Sequence, residues 1–377
     1  MERLHLPVVE ANRRTATILT AYYMPKPGGL CVRLFRAIIA LLDAGHVVHY
    51  SAVRPFPIDD PNCIYHRLWW PLRVEPSGAV FWVYLHLTMP LHLLYLATRY
   101  RVTHAFAFSI NYGAMLAPVR VLRRIRYVLF LRADTMRNNR INGVHPAILR
   151  AEHVVEALAL VRANVVAVSA SLLEDVTARH RRAHPRAADV LRNEPPNLGI
   201  SCPRYSGGRL EIAAVGVIEA RKNPQLLINM VAGLADLDVR LHYFGTGPYE
   251  AQLRALAAPL VSDGRVLLHG WQPPERIWPM IHLLAHSSLH EGVSNAILEA
   301  MACGAMVLAS DIPEHREWID GDLLLPLSHP ERWADRVRRI VTEPDARARV
   351  VKGADETRRS LSSNWNKRIT DKILGSE

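Results

Sequence analysis

Short apolar runs alternate with helix-length stretches along most of this chain, and that alternation restricts the fold more than any other feature. Parallel strands need a crossover of a dozen or more residues, and a helix is the usual way to provide it. "TATILTAYYMP" reads as a first strand over 15–21, followed by a "KPGGL" turn and the helix "CVRLFRAIIALLDAG". Gly45 is placed to end that helix, and "HVVHYSAV" reads as the second strand. Further strands are predicted at 103–108, 127–131 and 165–169. The stretch "RNEPPNLGISCPRYSGGRL", 192–210, is rich in Pro, Gly and Asn and interrupts the pattern. The pattern restarts at "LEIAAVGVI", with strands predicted at 211–217, 239–244, 266–268 and 306–309. A chain of 377 residues also exceeds what one core supports. The expectation is an α/β protein of two Rossmann-like, doubly wound domains, 1–200 and 201–357, with a ligand cleft between their strand C-terminal edges.

The net charge of +11 favours a polyanion: nucleic acid, anionic lipid or a phosphorylated small ligand. Nucleic acid is not expected, because the arginine-rich stretch 120–126 has only Tyr127 beside it rather than interleaved aromatics. Cys31, Cys63, Cys202 and Cys303 are widely spaced and read as reduced thiols of a cytoplasmic protein. The opening "MERLHLPVVEANRR" carries charges where a signal peptide needs an apolar centre. One segment stands apart. "VFWVYLHLTMPLHLLYLA", 80–97, is uncharged and long enough to span a bilayer, yet holds His86, His92 and a central Pro90. It can be a helix packed in its own domain, an interfacial helix or a span, and arginines follow it as an anionic membrane surface would favour.

The densest chemistry lies in "SSLHEGVSNAILEAMACGAMVLASD", 287–311. Ser294 or Asn295 suits a helix N-cap, so the run Gly292, Val293, Ser294 and Asn295 would present backbone N–H groups at the positive helix end. That end can take a phosphate or a sugar hydroxyl, and Gly292 allows close approach. Glu291 precedes the helix, whereas Glu299 sits inside it, where a carboxylate needs hydrogen-bond donors such as a ribose diol. An arginine pair for Glu299 and a solvated Glu291 are the structural alternatives. Arg221 and Lys222 fall between a strand and a helix, where an ammonium can reach a diphosphate, and Pro224 suits the first helical turn. Gly245 and Gly247 in "YFGTGPYEAQL" lack a full GxGxxG and read as a loop beside the base or ribose. In the first half, Gly28 and Gly29 form a glycine turn, and Arg132 and Asp134 in "FLRADTMRNNR" follow a strand as candidates for the cleft or as a simple pair.

Together these segments resemble the retaining GT-B glycosyltransferases, close to the GT4-like glycosyl transferases of group 1. The signature is the 287–311 run with Glu291 and Glu299, accompanied by "VGVIEARKN", "YFGTGP" and "VLLHGWQPPERIWPMI". "GGLCVRLFRAIIALLDAGHVVHY" and "VRANVVAVSASLLEDV" are similar to first-domain segments, and 358–377 is similar to a terminal helix that crosses back to the first domain. The resemblance implies that Glu299 binds the ribose hydroxyls and Glu291 the donor sugar. Amides at 292–295 and Lys222 would hold the diphosphate. Val217 stands where the family often has Arg, so one phosphate cation is either missing or replaced by Arg221; Met306 stands for a proline and Arg132 for a histidine. With Glu291, Lys222, Arg132 and Asp134 as the catalytic set, the implied reaction moves a sugar with retention from a nucleotide-diphosphate donor. The acceptor would be lipid-linked, a polysaccharide or another glycan, in cell-envelope or exopolysaccharide biosynthesis. No metal or other cofactor is expected, and the location would be cytoplasmic or peripheral on the inner membrane face. A nucleotide-sugar epimerase or phosphorylase on the same fold is the competing reading.

Overall fold

A computed structural model describes residues 15–25, 29–72, 74–183 and 185–375. The first sheet contains β1 (Thr17–Ala21), β2 (Val47–Ala52), β3 (Cys63–Arg67), β4 (His104–Ala107), β5 (Arg126–Leu131), β6 (Asn164–Ala167) and β7 (Ala187–Val190), ordered β3-β2-β1-β4-β5-β6-β7. The second contains β8 (Leu210–Val215), β9 (Val239–Phe244), β10 (Val266–Leu268), β11 (Leu283–His286), β12 (Met306–Ser310) and β13 (Leu324–Leu325), ordered β10-β9-β8-β11-β12-β13. In both, the strand order turns back at the first strand, so β1 and β4 in one sheet and β8 and β11 in the other flank the reversal. Ligands of open α/β sheets sit outside the strand C-termini at that reversal.

The chain divides into two units, Met1–Val128 with Asn366–Glu377, and Leu129–Trp365. In the first, β1 pairs in parallel with β2 and β4, setting Ile18 against Val48 and His104. Ile18, Leu19, Leu34, Ile38 and Phe106 are fully buried between sheet and helix. The Trp365–Leu374 helix is tied here by Asn366, whose Oδ1 accepts from Arg36 Nε at 2.7 Å, and by Ile373 O, which accepts from Arg126 Nε at 3.2 Å. In the second unit, Ile212 of β8 lies opposite both Leu241 of β9 and Leu283 of β11. β11 is buried throughout, as a central strand covered on both faces should be.

The sequence reading recovers the strands at the centres of both sheets except β11, and it omits β3, β7 and β13. β3 and β7 are edge strands with partly exposed residues and no clear apolar alternation. β13 has two residues. β11 reads "LLAH", a four-residue run with no period of its own.

Candidate functional site

Two loops leave the strand ends at the reversal of the second sheet. After β8, Gly216 to Glu219 leads into a 3-10 turn, Ala220–Lys222, and then the Pro224–Ala232 helix. After β11, Ser287 to Ser294 leads into the Asn295–Cys303 helix, with Ser294 as its N-cap residue. Side chain and main chain lace the loops together. Ser287 Oγ donates to Lys222 O at 2.9 Å and Asn223 O at 3.0 Å, and Leu289 N donates to Arg221 O at 2.8 Å. From the next strand, Ser310 Oγ donates to Ser288 O at 2.6 Å. A pocket opens between the loops, with Gly216, Val217, Ile218, Lys222, His286 and Ser288 among its walls.

Glu291 is the electrostatic centre of the two loops, in contact with Lys222, His286 and Ser288 of the pocket wall. Its Oε1 accepts from the Lys222 ammonium, from Arg221 Nη1 at 3.0 Å and from Ser288 Oγ at 3.0 Å, and His286 Nε2 lies 3.3 Å away. Burial raises the Glu291 pKa, but Lys222, His286 and Arg221 outweigh it and hold the carboxyl well below its ordinary range. His286 moves the other way: burial, then the Lys222 charge, push it down to about 3. At neutral pH an ionised Glu291 therefore sits behind a neutral His286 imidazole, which lines the pocket.

Arg221 is largely consumed by structure. It also donates to Glu219 Oε1 at 2.6 Å and to His290 O at 2.7 Å, so it clamps the Glu291 loop from below. Lys222 is the cation on the pocket wall, its Nζ 3.6 Å from where a side chain on Gly216 would begin. Val217 is exposed beside it.

The glycines have separate reasons. Gly245 has φ near 144°, and a Cβ there would lie 1.9 Å from Gly216 O. Gly247 is equally tight against Ile218 O at 2.2 Å. Both let the β9 loop press on the wall carrying Gly216 and Ile218. A Cβ on Gly292 would lie 2.5 Å from Arg132 O, so this glycine brings the helix start against the chain leaving β5. Among the described residues, the N–H groups of Gly292, Val293 and Ser294 meet no acceptor. The Ser294 side chain makes no capping bond either, so the donors at the positive helix end stay unpaired. Glu299 lies half-buried within that helix.

Arg132 Nη2 donates to Asn193 Oδ1 at 2.7 Å. Asp134 is fully buried, and its partner is Arg179 rather than Arg132. It also caps the Thr135–Ile141 helix by accepting from Arg137 N at 2.9 Å. Burial raises its pKa, yet Arg179 and the Arg137 N–H bring the net shift downward. Gly29 begins the Gly29–Asp43 helix of the other unit, and Gly28 lies outside the described residues.

Several neighbours carry no signal in the sequence. His286 and Ser288 look like ordinary strand-end residues, yet both reach Glu291. Glu314, in the short Pro313–Arg316 helix, pairs with His290 Nδ1 and accepts from Arg137 Nη1 at 3.1 Å. Glu317 accepts from Ala170 N at 2.7 Å and Ser171 N at 2.6 Å, at the start of the Ala170–Arg179 helix.

Residues 209–343 match the family described as glycosyl transferases group 1. A lipopolysaccharide core biosynthesis glycosyltransferase, LpsE of Rhizobium meliloti, is 31% identical over 151 residues, 39% of this chain and 44% of that protein. A D-inositol 3-phosphate glycosyltransferase of Saccharomonospora viridis is 27% identical over 222 residues, 51% of each. The chain thus spans about half the length or less of these curated relatives. Solved structures extend the likeness in fold. Sucrose-phosphate synthase from Thermosynechococcus elongatus superposes with a TM-score of 0.74 at 19% identity, over 96% of this chain and 98% of that one. HepE of Anabaena, in complex with UDP-glucose, gives 0.74 at 15% identity over 96% and 100%. The fold is α/β with two parallel-sheet, Rossmann-like domains of the GT-B kind.

Proposed function

We propose that this chain, whose residues 209–343 carry a glycosyl transferases group 1 domain on a GT-B fold, transfers a sugar from a nucleotide-diphosphate donor to a glycan or lipid-linked acceptor, with retention and without a metal. The observation that carries this reading is the pairing of Lys222 and Glu291 beside the unoccupied N–H groups of Gly292 to Ser294. A diphosphate placed there meets an ammonium and a helix N-terminus, the two kinds of group that stabilise phosphate charge without reorganising. Its arrival draws Lys222 from Glu291, which releases the carboxylate for the donor sugar hydroxyls. Glu299, further along the same helix, takes the ribose diol.

In the transfer the anomeric C–O bond to the diphosphate breaks while the acceptor oxygen bonds to the same face of that carbon. The acceptor proton leaves on the departing diphosphate. Negative charge grows on the leaving group, and Lys222 and the helix amides oppose it. Arg221 acts at one remove, holding the Glu291 loop through His290 O. Asp134 and Arg132 support the chain against which Gly292 packs. HepE was solved with UDP-glucose, and LpsE is a lipopolysaccharide core enzyme, which favours a uridine donor and an envelope glycan as the first pair to assay.

The test is nucleoside diphosphate release from nucleotide-sugars with oligosaccharide acceptors in excess chelator, with the product anomer read by NMR. Acceptor-dependent release, an unchanged anomeric configuration and indifference to chelator are expected. Donor isomerisation without acceptor, an inverted anomer or a metal requirement would each overturn the corresponding part of the reading.

A further inference from the structure

The Gly78–Arg99 helix is apolar all round, which in a water-soluble unit means that both faces should be covered. Only one is. Phe81, Leu85, Met89 and Leu93 are fully buried in the first unit, and Ser51 Oγ reaches Met89 Sδ at 3.4 Å. On the opposite side Val80, Val83, Leu87, Leu91 and Tyr95 recur at intervals of three and four residues and are between 61% and 70% exposed. They form a stripe about 22 Å long on a regular helix. The apolar surface continues onto Val121 and Leu122 of the Ala117–Leu122 helix, which packs beside it. Scattered exposed aliphatics are ordinary; a continuous stripe of this extent marks a surface that something covers.

Charge identifies the occupant. Between Glu75 and Asp134 the sequence has no carboxylate, while it has seven arginines. Arg99, Arg101 and Arg124 are exposed, and Arg123 is half-exposed, next to the apolar stripe. A protein partner would need matching acidic groups around an apolar centre, and a second copy of this chain would place these arginines against themselves. An anionic lipid bilayer offers the complement directly, with acyl chains for the stripe and phosphates for the guanidinium groups. The helix does not span, because its buried half is fixed in the core of its own unit.

We infer that the outer face of the Gly78–Arg99 helix, with Val121, Leu122 and the flanking arginines, lies on the surface of an anionic lipid bilayer, immersing the stripe at headgroup level. This deepens the proposed function by placing the chain where a lipid-linked acceptor is presented, but it stands on separate residues. The test needs neither donor nor acceptor, so its failure and the failure of sugar transfer are read apart.

Full-length protein is sedimented with vesicles of phosphatidylcholine alone or with about one third phosphatidylglycerol, at low and high salt. Binding to the anionic vesicles is expected, at least about tenfold above neutral vesicles and weakened by salt. The double substitution L87E/L91E should abolish it while leaving the thermal midpoint unchanged, since both side chains face solvent. Arg101→Gln and Arg124→Gln should each weaken binding about fivefold. Equal binding to both vesicle types, full binding by L87E/L91E, or a dimer in solution that this variant converts to monomer would overturn the inference.

Discussion

Lys222 and Glu291 are 69 positions apart in the chain and form one ion pair, and their substitutions should separate structure from chemistry. Removing Lys222 leaves Glu291 with Arg221, Ser288 and His286, so the carboxylate stays compensated. Removing Glu291 deprives Lys222 and Arg221 of a buried acceptor. Lys222→Ala should therefore fold with nearly unchanged stability, measured by urea titration, and lose about 100-fold or more in kcat. Glu291→Ala should lose activity and also about 3 kcal/mol of stability, because it breaks a buried pair from the carboxylate side. Equal destabilisation by the two would contradict this division. Gly245→Ala adds a Cβ onto Gly216 O at a left-handed φ, and should cost about 2–3 kcal/mol in the same titration.

At the scale of elements, the two loops at the β8–β11 reversal show what a sequence can and cannot disclose. The helix start at Ser294 was legible because N-cap chemistry is local, and so was the Pro224 helix start. Lys222 was legible as a candidate from its place between a strand and a helix, and Glu291 from its place before a helix start, but their direct pairing was not, since nothing local encodes a contact across two βα units. Arg221 shows the same limit: its sequence position suggests a phosphate cation, whereas its hydrogen bonds go to Glu219 and His290. Asp134 and Arg132, neighbours in sequence, take separate partners in Arg179 and Asn193. Glu317 is the clearest omission. Its carboxylate receives two N–H groups of the Ala170–Arg179 helix start, and it lies more than 140 residues away in the chain. Glu317→Ala should cost about 1 kcal/mol in urea titration, and an unchanged midpoint would mean that water replaces both bonds without loss.

The molecule as a whole should respond to acid in two stages. Burial, then Lys222, lowers His286 to about 3; burial, then His49 and His92, lowers His66 to about 4. Such groups bind a proton in the unfolded chain near pH 6.5 but stay neutral in the folded one. Their contribution is complete above that pH and is lost progressively as pH falls towards the folded values. Glu291, Asp134 and Glu314 are shifted below the usual carboxylate range, so their contribution is present above about pH 4 and is lost below it. Urea midpoints should therefore fall between pH 7 and pH 5 and more steeply below pH 4; a flat profile from 7 to 5 would show the histidines free to charge.

The central claim is that the loops after β8 and β11 hold a nucleoside diphosphate, and ligand-dependent thermal unfolding tests it most directly. At about a hundred times its Kd a bound nucleotide stabilises the folded state by about 2.7 kcal/mol, which raises the midpoint by several degrees. With UDP, GDP and ADP and their sugars at millimolar concentration, at least one should raise the wild-type midpoint and lose that effect in Lys222→Ala. No rise with any nucleotide, or an equal rise in wild type and Lys222→Ala, would contradict the account.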